Sequence, residues 1–136
     1  MLFLFLVFNS TISFGQLKTI GLPEIRNYNR NDYKGGTQNW DIGQDKDGNL
    51  YFANNNGLFQ FDGSLWHKYT LPNLSVIRTI KIQKSGKIFV GGYNEFGYFK
   101  PDSKGKLVYF SLTKFLNTKN DNTENTVDII WKIHLY

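Results

Sequence analysis

The sequence predicts an all-β chain of repeated four-stranded units, and three observations predict it. The first is self-similarity: Leu50-Tyr51-Phe52 recurs as Ile88-Phe89-Val90, 38 residues further on. The same shift pairs Ile42 with Ile80, Gly48 with Gly86, Asn56 with Asn94, Leu58 with Phe96 and Phe61 with Phe99. The second is that each copy splits into short apolar runs separated by Gly, Asn and Asp, the residues that punctuate strands. The third is composition: 17% aromatic residues beside an ordinary 20% charged suits short, packed antiparallel strands and not disorder. A period of roughly 40 residues with four strands per unit is the signature of a β-propeller blade. A third copy begins at Asp128-Ile129-Ile130-Trp131-Lys132-Ile133, which resembles Trp40-Asp41-Ile42. The expected architecture is therefore an incomplete β-propeller: two four-stranded antiparallel blades plus the first strand of a third. Rings close with about four to eight blades, so the chain reads as the opening of a longer protein.

The elements follow in order. Residues 1–15 contain the apolar run MLFLFLVF and then Ser13 and Gly15, spaced as before a signal-peptidase cut at Gln16. The run falls far short of the roughly 20 residues that span a bilayer. Export is the expectation, and these residues are set apart from the fold. Residues 17–36 hold an extended stretch, Ile25 to Tyr28, between Pro23 and Gly35-Gly36, and its pattern matches Trp66-His67-Lys68-Tyr69. Its expected role is to close the ring by joining the last blade.

Blade 1 occupies residues 37–70. Its strands are expected at Gln38–Gln44, Leu50–Ala53, Leu58–Phe61 and Leu65–Tyr69. The turns between them are Lys46-Asp47-Gly48-Asn49, Asn54-Asn55-Asn56-Gly57 and Asp62-Gly63-Ser64, all rich in residues that tolerate positive φ. Blade 2 occupies residues 75–112, with strands at Ile77–Ile82, Ile88–Gly91, Phe96–Phe99 and Leu107–Phe110. Residues 113–126 are a polar, Asn-rich connection, either a long surface loop or a short helical turn at Lys114–Leu116 followed by loop, and residues 127–136 start blade 3.

The string DGNLYFAN followed by GLFQFDG, at Asp47–Asn54 and Gly57–Gly63, resembles the repeat of the two-component regulator propeller family. Leu22-Pro23-Glu24-Ile25-Arg26-Asn27-Tyr28, Gly36–Ile42 and Gly92–Phe99 are similar to the N-terminal part of periplasmic sensors that carry a propeller and then a triple-tyrosine domain. The second copy departs from the repeat at Ser85, where an Asp is usual, and at Lys100-Pro101, which replaces Asp62-Gly63. The resemblance implies a periplasmic sensing segment, membrane-anchored and homodimeric in full-length form. It implies the remaining blades and a triple-tyrosine domain as intramolecular partners, then a helix-turn-helix or histidine-kinase output. A secreted propeller enzyme, a lyase or hydrolase, and a plain interaction scaffold are the alternatives, because fold alone does not fix function.

Charge and motif content narrow the chemistry. The net charge is +5, but the Lys and Arg residues are scattered, so no nucleic-acid contact is expected from this segment. The absence of cysteine excludes disulfides, thiol nucleophiles and Cys-ligated zinc. Asp45, Asp47 and Asn49 alternate as in a calcium loop, yet no closing Glu follows, and a hairpin turn accounts for them. His67 and His134 stand outside any triad pattern. No catalytic residue, metal ligand or cofactor is expected. The alternating aromatics, Trp40 among them, read as core between blades. The second-to-third strand turns share a face with the entrance to the innermost strand. Asn54, Asn55, Asn56, Arg78, Tyr93, Asn94 and Glu95 are thus expected to line one rim. Amides, a carboxylate and an aromatic ring suit a polar small molecule or glycan fragment.

Overall fold

The computed structural model describes Gly21, residues 25–116 and residues 127–136. The expected signal segment at residues 1–15 and most of the Asn-rich connection lie outside the described residues. The chain is mostly β. Strands β1 (Asn39–Gln44), β2 (Leu50–Asn54), β3 (Gly57–Phe61) and β4 (Trp66–Tyr69) form one antiparallel sheet in the order β1-β2-β3-β4. Strands β5 (Ile77–Ile82), β6 (Ile88–Gly92), β7 (Phe96–Pro101) and β8 (Leu107–Ser111) form a second in the same order. Among the described residues no helix is long and apolar enough to cross a membrane.

The repeat is visible in the register. Ile42 pairs with Phe52 and Phe52 with Phe59 in the first sheet; Ile80 pairs with Val90 and Val90 with Gly97 in the second. Both first strands carry an irregularity at the same place, between Asn39 and Asp41 and between Ile77 and Thr79. Three hairpins share one turn. The N–H groups of Asp45, Gln83 and Asp102 donate to the carbonyls of Asn49, Lys87 and Lys106 at 3.0, 2.9 and 2.9 Å. The fourth residue of each turn must be left-handed, and glycine adopts φ of +89° at Gly48, +84° at Gly86 and +79° at Gly105. Asp45 stiffens its turn by accepting from the N–H groups of Asp47 and Asn49, both at 2.9 Å, and Asp102 does the same for Lys104 and Lys106. The alternating acids at Asp45 and Asp47 are thus explained by turn geometry.

Period-2 alternation gives each sheet two faces. Tyr51, Ala53, Leu58 and Tyr69 of the first sheet pack with Ile80, Ile88, Val90 and Phe99 of the second, and Leu71 from the connection completes this core. The Tyr69 and Phe99 rings lie 6.0 Å apart across the interface. Phe52, Phe59 and Phe61 point to the opposite face of the first sheet, where Tyr28, Tyr33 and Trp66 join them; Phe61 and Trp66 are 4.7 Å apart. On the second sheet the face turned away from the first carries Phe89, Tyr98 and Phe110; Tyr98 stacks on Phe110 at 5.2 Å and meets Phe89 at a tilt, 5.5 Å away. The 38-residue shift therefore maps Tyr51 onto Phe89 and Phe61 onto Phe99 without reversing direction. Each face of the first sheet is carried onto the face of the second that points the same way.

Two segments differ from the sequence reading. Residues 25–29 form no strand, and a single helical turn, α1 (Arg30–Tyr33), follows them. Asn29 and Asp32 build it as a capping box: Asn29 Oδ1 accepts from Asn31 N–H at 2.8 Å, and Asn29 N–H donates to Asp32 Oδ2 at 2.7 Å. This segment lies over the first sheet through the edge-on contact of Tyr28 with Phe61 at 5.0 Å. Residues 127–136 likewise form no strand. They touch the second sheet through one bridge, Tyr93 with Ile129, and through Ile130 N–H donating to the Gly92 carbonyl at 2.9 Å. The short helical turn after β8 falls at Thr113–Phe115, one residue earlier than expected.

Candidate functional site

The strand entrances and the turns after β2 and β6 meet at one end of the two sheets. Asn54 is fully buried there and its amide is fully used. Its Oδ1 accepts from Gly36 N–H at 2.8 Å and Asn56 N–H at 3.0 Å, while its Nδ2 donates to the Gly36 carbonyl at 3.1 Å and to Asn39 Oδ1 at 2.7 Å. Glu95 is buried too. Its Oε1 accepts from the hydroxyls of Tyr109, Ser111 and Thr113 at 3.0, 2.7 and 3.3 Å. Burial pushes the Tyr109 phenol well above its usual range, and the neighbouring Glu95 charge adds to the shift. These two expected rim residues are internal struts.

The remaining expected residues divide. Tyr93 and Asn94 hold the last described segment: Asn94 Oδ1 accepts from Val127 N–H at 3.0 Å, and Tyr93 bridges Ile129. Asn56 is exposed. Asn55 and Arg78 converge on two indoles that the sequence reading assigned to core or left unassigned. Trp40 Nε1 donates to Asn55 Oδ1 at 2.7 Å. The Arg78 guanidinium lies 4.0 Å from the Trp40 ring centroid and 4.3 Å from that of Trp131. The two rings are 6.0 Å apart at 79°.

Trp40 and Arg78 occupy equivalent places in the repeat, 38 residues apart, and Trp131 holds that place in the third copy. The stack is thus built from one residue of each copy. Arg78 Nε and Nη1 are buried and without an acceptor. A guanidinium between two indoles is a cation held by ring quadrupoles, with N–H donors left to satisfy. The adjoining residues Asp41, Ile42, Gly43, Ile80, Lys132 and His134 line a groove of about 310 Å³ beside β1 and β5. The arrangement sets a cation between two indole rings. Among the described residues no cluster of three or more His, Cys, Asp or Glu side chains is placed to hold a metal ion. His67 pairs loosely with Asp62 at 3.7 Å on the outer strand of the first sheet, away from the stack.

The signal for the stack was present in the repeat alignment. An aromatic and an arginine in equivalent positions of adjacent copies place a cation beside a ring. Comparisons with protein-family models, with curated proteins and with solved structures find no match.

Proposed function

We propose that the two sheets are the first two blades of a β-propeller, and that the chain is the N-terminal part of the periplasmic ligand-sensing domain of a transmembrane regulator of two-component type. The observation that carries this reading is the 38-residue shift, which superimposes strand order, turn chemistry and face direction together. A sandwich needs only two faces turned inward; a repeat whose faces all point one way around is the requirement for a ring. The resemblance of Asp47–Gly63 and Gly92–Phe99 to sensor propellers supports the signalling role.

In this reading the segment is a non-enzymatic receptor, and the rim of Trp40, Asn55, Arg78 and Trp131 takes a polar small molecule or glycan fragment. A ligand there touches three copies of the repeat at once. It would favour whichever arrangement of the blades presents those groups best, and so bias an output domain across the membrane. Two experiments test the proposal. Reading the gene past the codon for Tyr136 should reveal further repeats, an apolar span of about 20 residues and a helix-turn-helix or kinase module; a stop codon there contradicts the sensor reading. Arg78→Ala should abolish the response of such a regulator to its inducer while leaving its cellular level unchanged.

A further inference from the structure

The second sheet departs from the first at one hairpin. The β3–β4 ladder ends with Phe61 paired to Trp66. Phe99, the counterpart of Phe61, is followed by two further pairs, Lys100 with Val108 and Pro101 with Leu107. The β7–β8 hairpin therefore runs about 7 Å further than its counterpart. Its turn, residues 102–106, carries Lys104 and Lys106, both exposed. With Gly105 they line a groove of about 410 Å³, whose other residues, Gln60, His67, Lys68 and Tyr69, come from the first sheet. His67 and Tyr69 alternate onto one face of β4, the face on which Tyr69 meets Phe99 of the second sheet. The Tyr69 hydroxyl donates to Gln60 Oε1 at 3.2 Å, and Gln60 pairs with His67.

The groove is basic. Among the described residues neither Lys104 nor Lys106 takes part in an ion pair. The Lys68 ammonium does not count toward it, since it lies 5.8 Å from the Phe59 ring centroid on the opposite face of the first sheet. Two acids are near, and neither lines the groove. Asp62 stands 3.7 Å from His67 Nε2 and accepts the N–H groups of Ser64 and Leu65, both at 2.8 Å. Asp102 Oδ1 accepts the N–H groups of Lys104 and Lys106 at 2.8 and 3.0 Å, so its charge is held by its own turn.

We infer that this groove binds a phosphate monoester of a small polar molecule, such as a sugar phosphate. Two ammonium groups and an imidazole, with no guanidinium among them, act as point charges. That suits a compact phosphoryl group better than a planar carboxylate, which is matched by the fork of an arginine. A phosphoryl group carries about −1.5 to −2 charge near neutral pH, enough to engage both lysines. The volume falls at the small end of the roughly 300–1,000 Å³ typical of ligand pockets, which leaves room for one sugar ring beside the Gln60 amide and the Tyr69 phenol. Both sides of the groove belong to the two sheets already packed on each other, so further sheets added on either side leave it open. The site does not rest on the receptor reading above.

The test is isothermal titration of the full chain at low salt with glucose 6-phosphate, glucose, glucuronate and inorganic phosphate, and sedimentation with phosphatidylglycerol vesicles. Saturable binding of glucose 6-phosphate is expected, weakening as salt is raised. Glucose and glucuronate should bind at least tenfold more weakly, and inorganic phosphate severalfold more weakly. Lys104→Gln combined with Lys106→Gln should weaken glucose 6-phosphate binding at least tenfold at an unchanged circular dichroism spectrum, and His67→Gln severalfold. Arg78→Ala should leave it as it is. The inference is overturned if glucose 6-phosphate does not bind, if glucuronate or inorganic phosphate binds equally, or if the double lysine variant binds as the parent does. Loss of binding in Arg78→Ala, or binding to the vesicles alone, overturns it as well, the latter assigning the lysines to a membrane surface.

Discussion

The carboxylate of Asp41 in the first sheet accepts the backbone N–H of Ile80 in the second at 2.9 Å, and the hydroxyl of Thr79 reaches the same oxygen at 3.3 Å. Thr79 is the repeat counterpart of Asp41, so the bond joins equivalent positions of adjacent copies. The irregularity between Ile77 and Thr79 lies beside the bonded residue. A side chain of the first sheet thus supplies an acceptor to a backbone donor of the second.

Asp41→Ala removes the acceptor for a partly buried N–H and a hydroxyl. Hydrogen bonds to charged groups contribute about 1.5–3 kcal/mol, so a loss of that size is expected in urea unfolding. Asp41→Asn, which keeps an oxygen acceptor, should lose less. Equal stability of the alanine variant and the parent would show that the link between the sheets contributes nothing.

Asn54 joins the entry segment at Gly36 to the turn after β2 through all of its amide atoms. Asn54→Ala leaves buried backbone groups of Gly36 unpaired, each costing about 1–3 kcal/mol. The variant should be destabilised by at least about 2 kcal/mol, and the Gly36 amide should exchange faster with deuterium. Retained protection at Gly36 would contradict the assignment of Asn54 as a strut.

The phenols of Tyr109 and Tyr51 are both raised by burial, Tyr109 further by Glu95 and Tyr51 further by its hydrogen bond to Asp45 at 3.0 Å. An ordinary phenol ionises near about 10. Because the folded values lie above the unfolded one, the native state holds these protons more tightly. Their contribution is complete below about pH 10 and is lost as pH rises from there toward the folded values. Spectroscopic titration should show these two tyrosines ionising only with unfolding, and Tyr109→Phe should remove part of the alkaline loss of stability. Ionisation of all the phenols near the ordinary value in the folded chain would contradict this.

Leu74 is exposed and has φ of +54°, a left-handed conformation unfavourable for a residue with a Cβ. Leu74→Asn keeps the turn, whose N–H donates to the Leu71 carbonyl at 3.0 Å, and suits the backbone better. A gain of about 0.5–1 kcal/mol is expected in thermal unfolding. A loss would mean that the Leu74 side chain has a packing role.

The strands and turns were legible because period-2 alternation and Gly, Asn and Asp at fixed offsets are local signals. Ile77–Ile82 was located to the residue, and the other strands to within two residues at each end. The helical turn at Arg30–Tyr33 was missed although Asn29-Arg30-Asn31-Asp32 carries a capping box, because Pro23 and the glycine pair suggested an extended segment instead. The rim was only partly legible. Asn54 and Glu95 are turn residues whose side chains bond inward to Gly36 and to the β8 hydroxyls, and a turn's sequence does not reveal which way its side chains face. Trp40 was read as core because alternation marks an aromatic as inward. Its contact with Arg78 depends on how adjacent sheets stack, which becomes visible only when the two copies are aligned.

The central claim is that the two sheets are consecutive members of a ring of like units. An experimental structure of the protein, with whatever sequence follows Tyr136, tests it most directly. The account predicts a third four-stranded sheet packed on the face that carries Phe89, Tyr98 and Phe110, as the second sheet packs on Tyr51, Leu58 and Tyr69. It also predicts that Trp131 enters the innermost strand of that sheet while remaining stacked on Arg78. A structure in which that face is open to solvent, with the two sheets closed on each other as a sandwich, would contradict it.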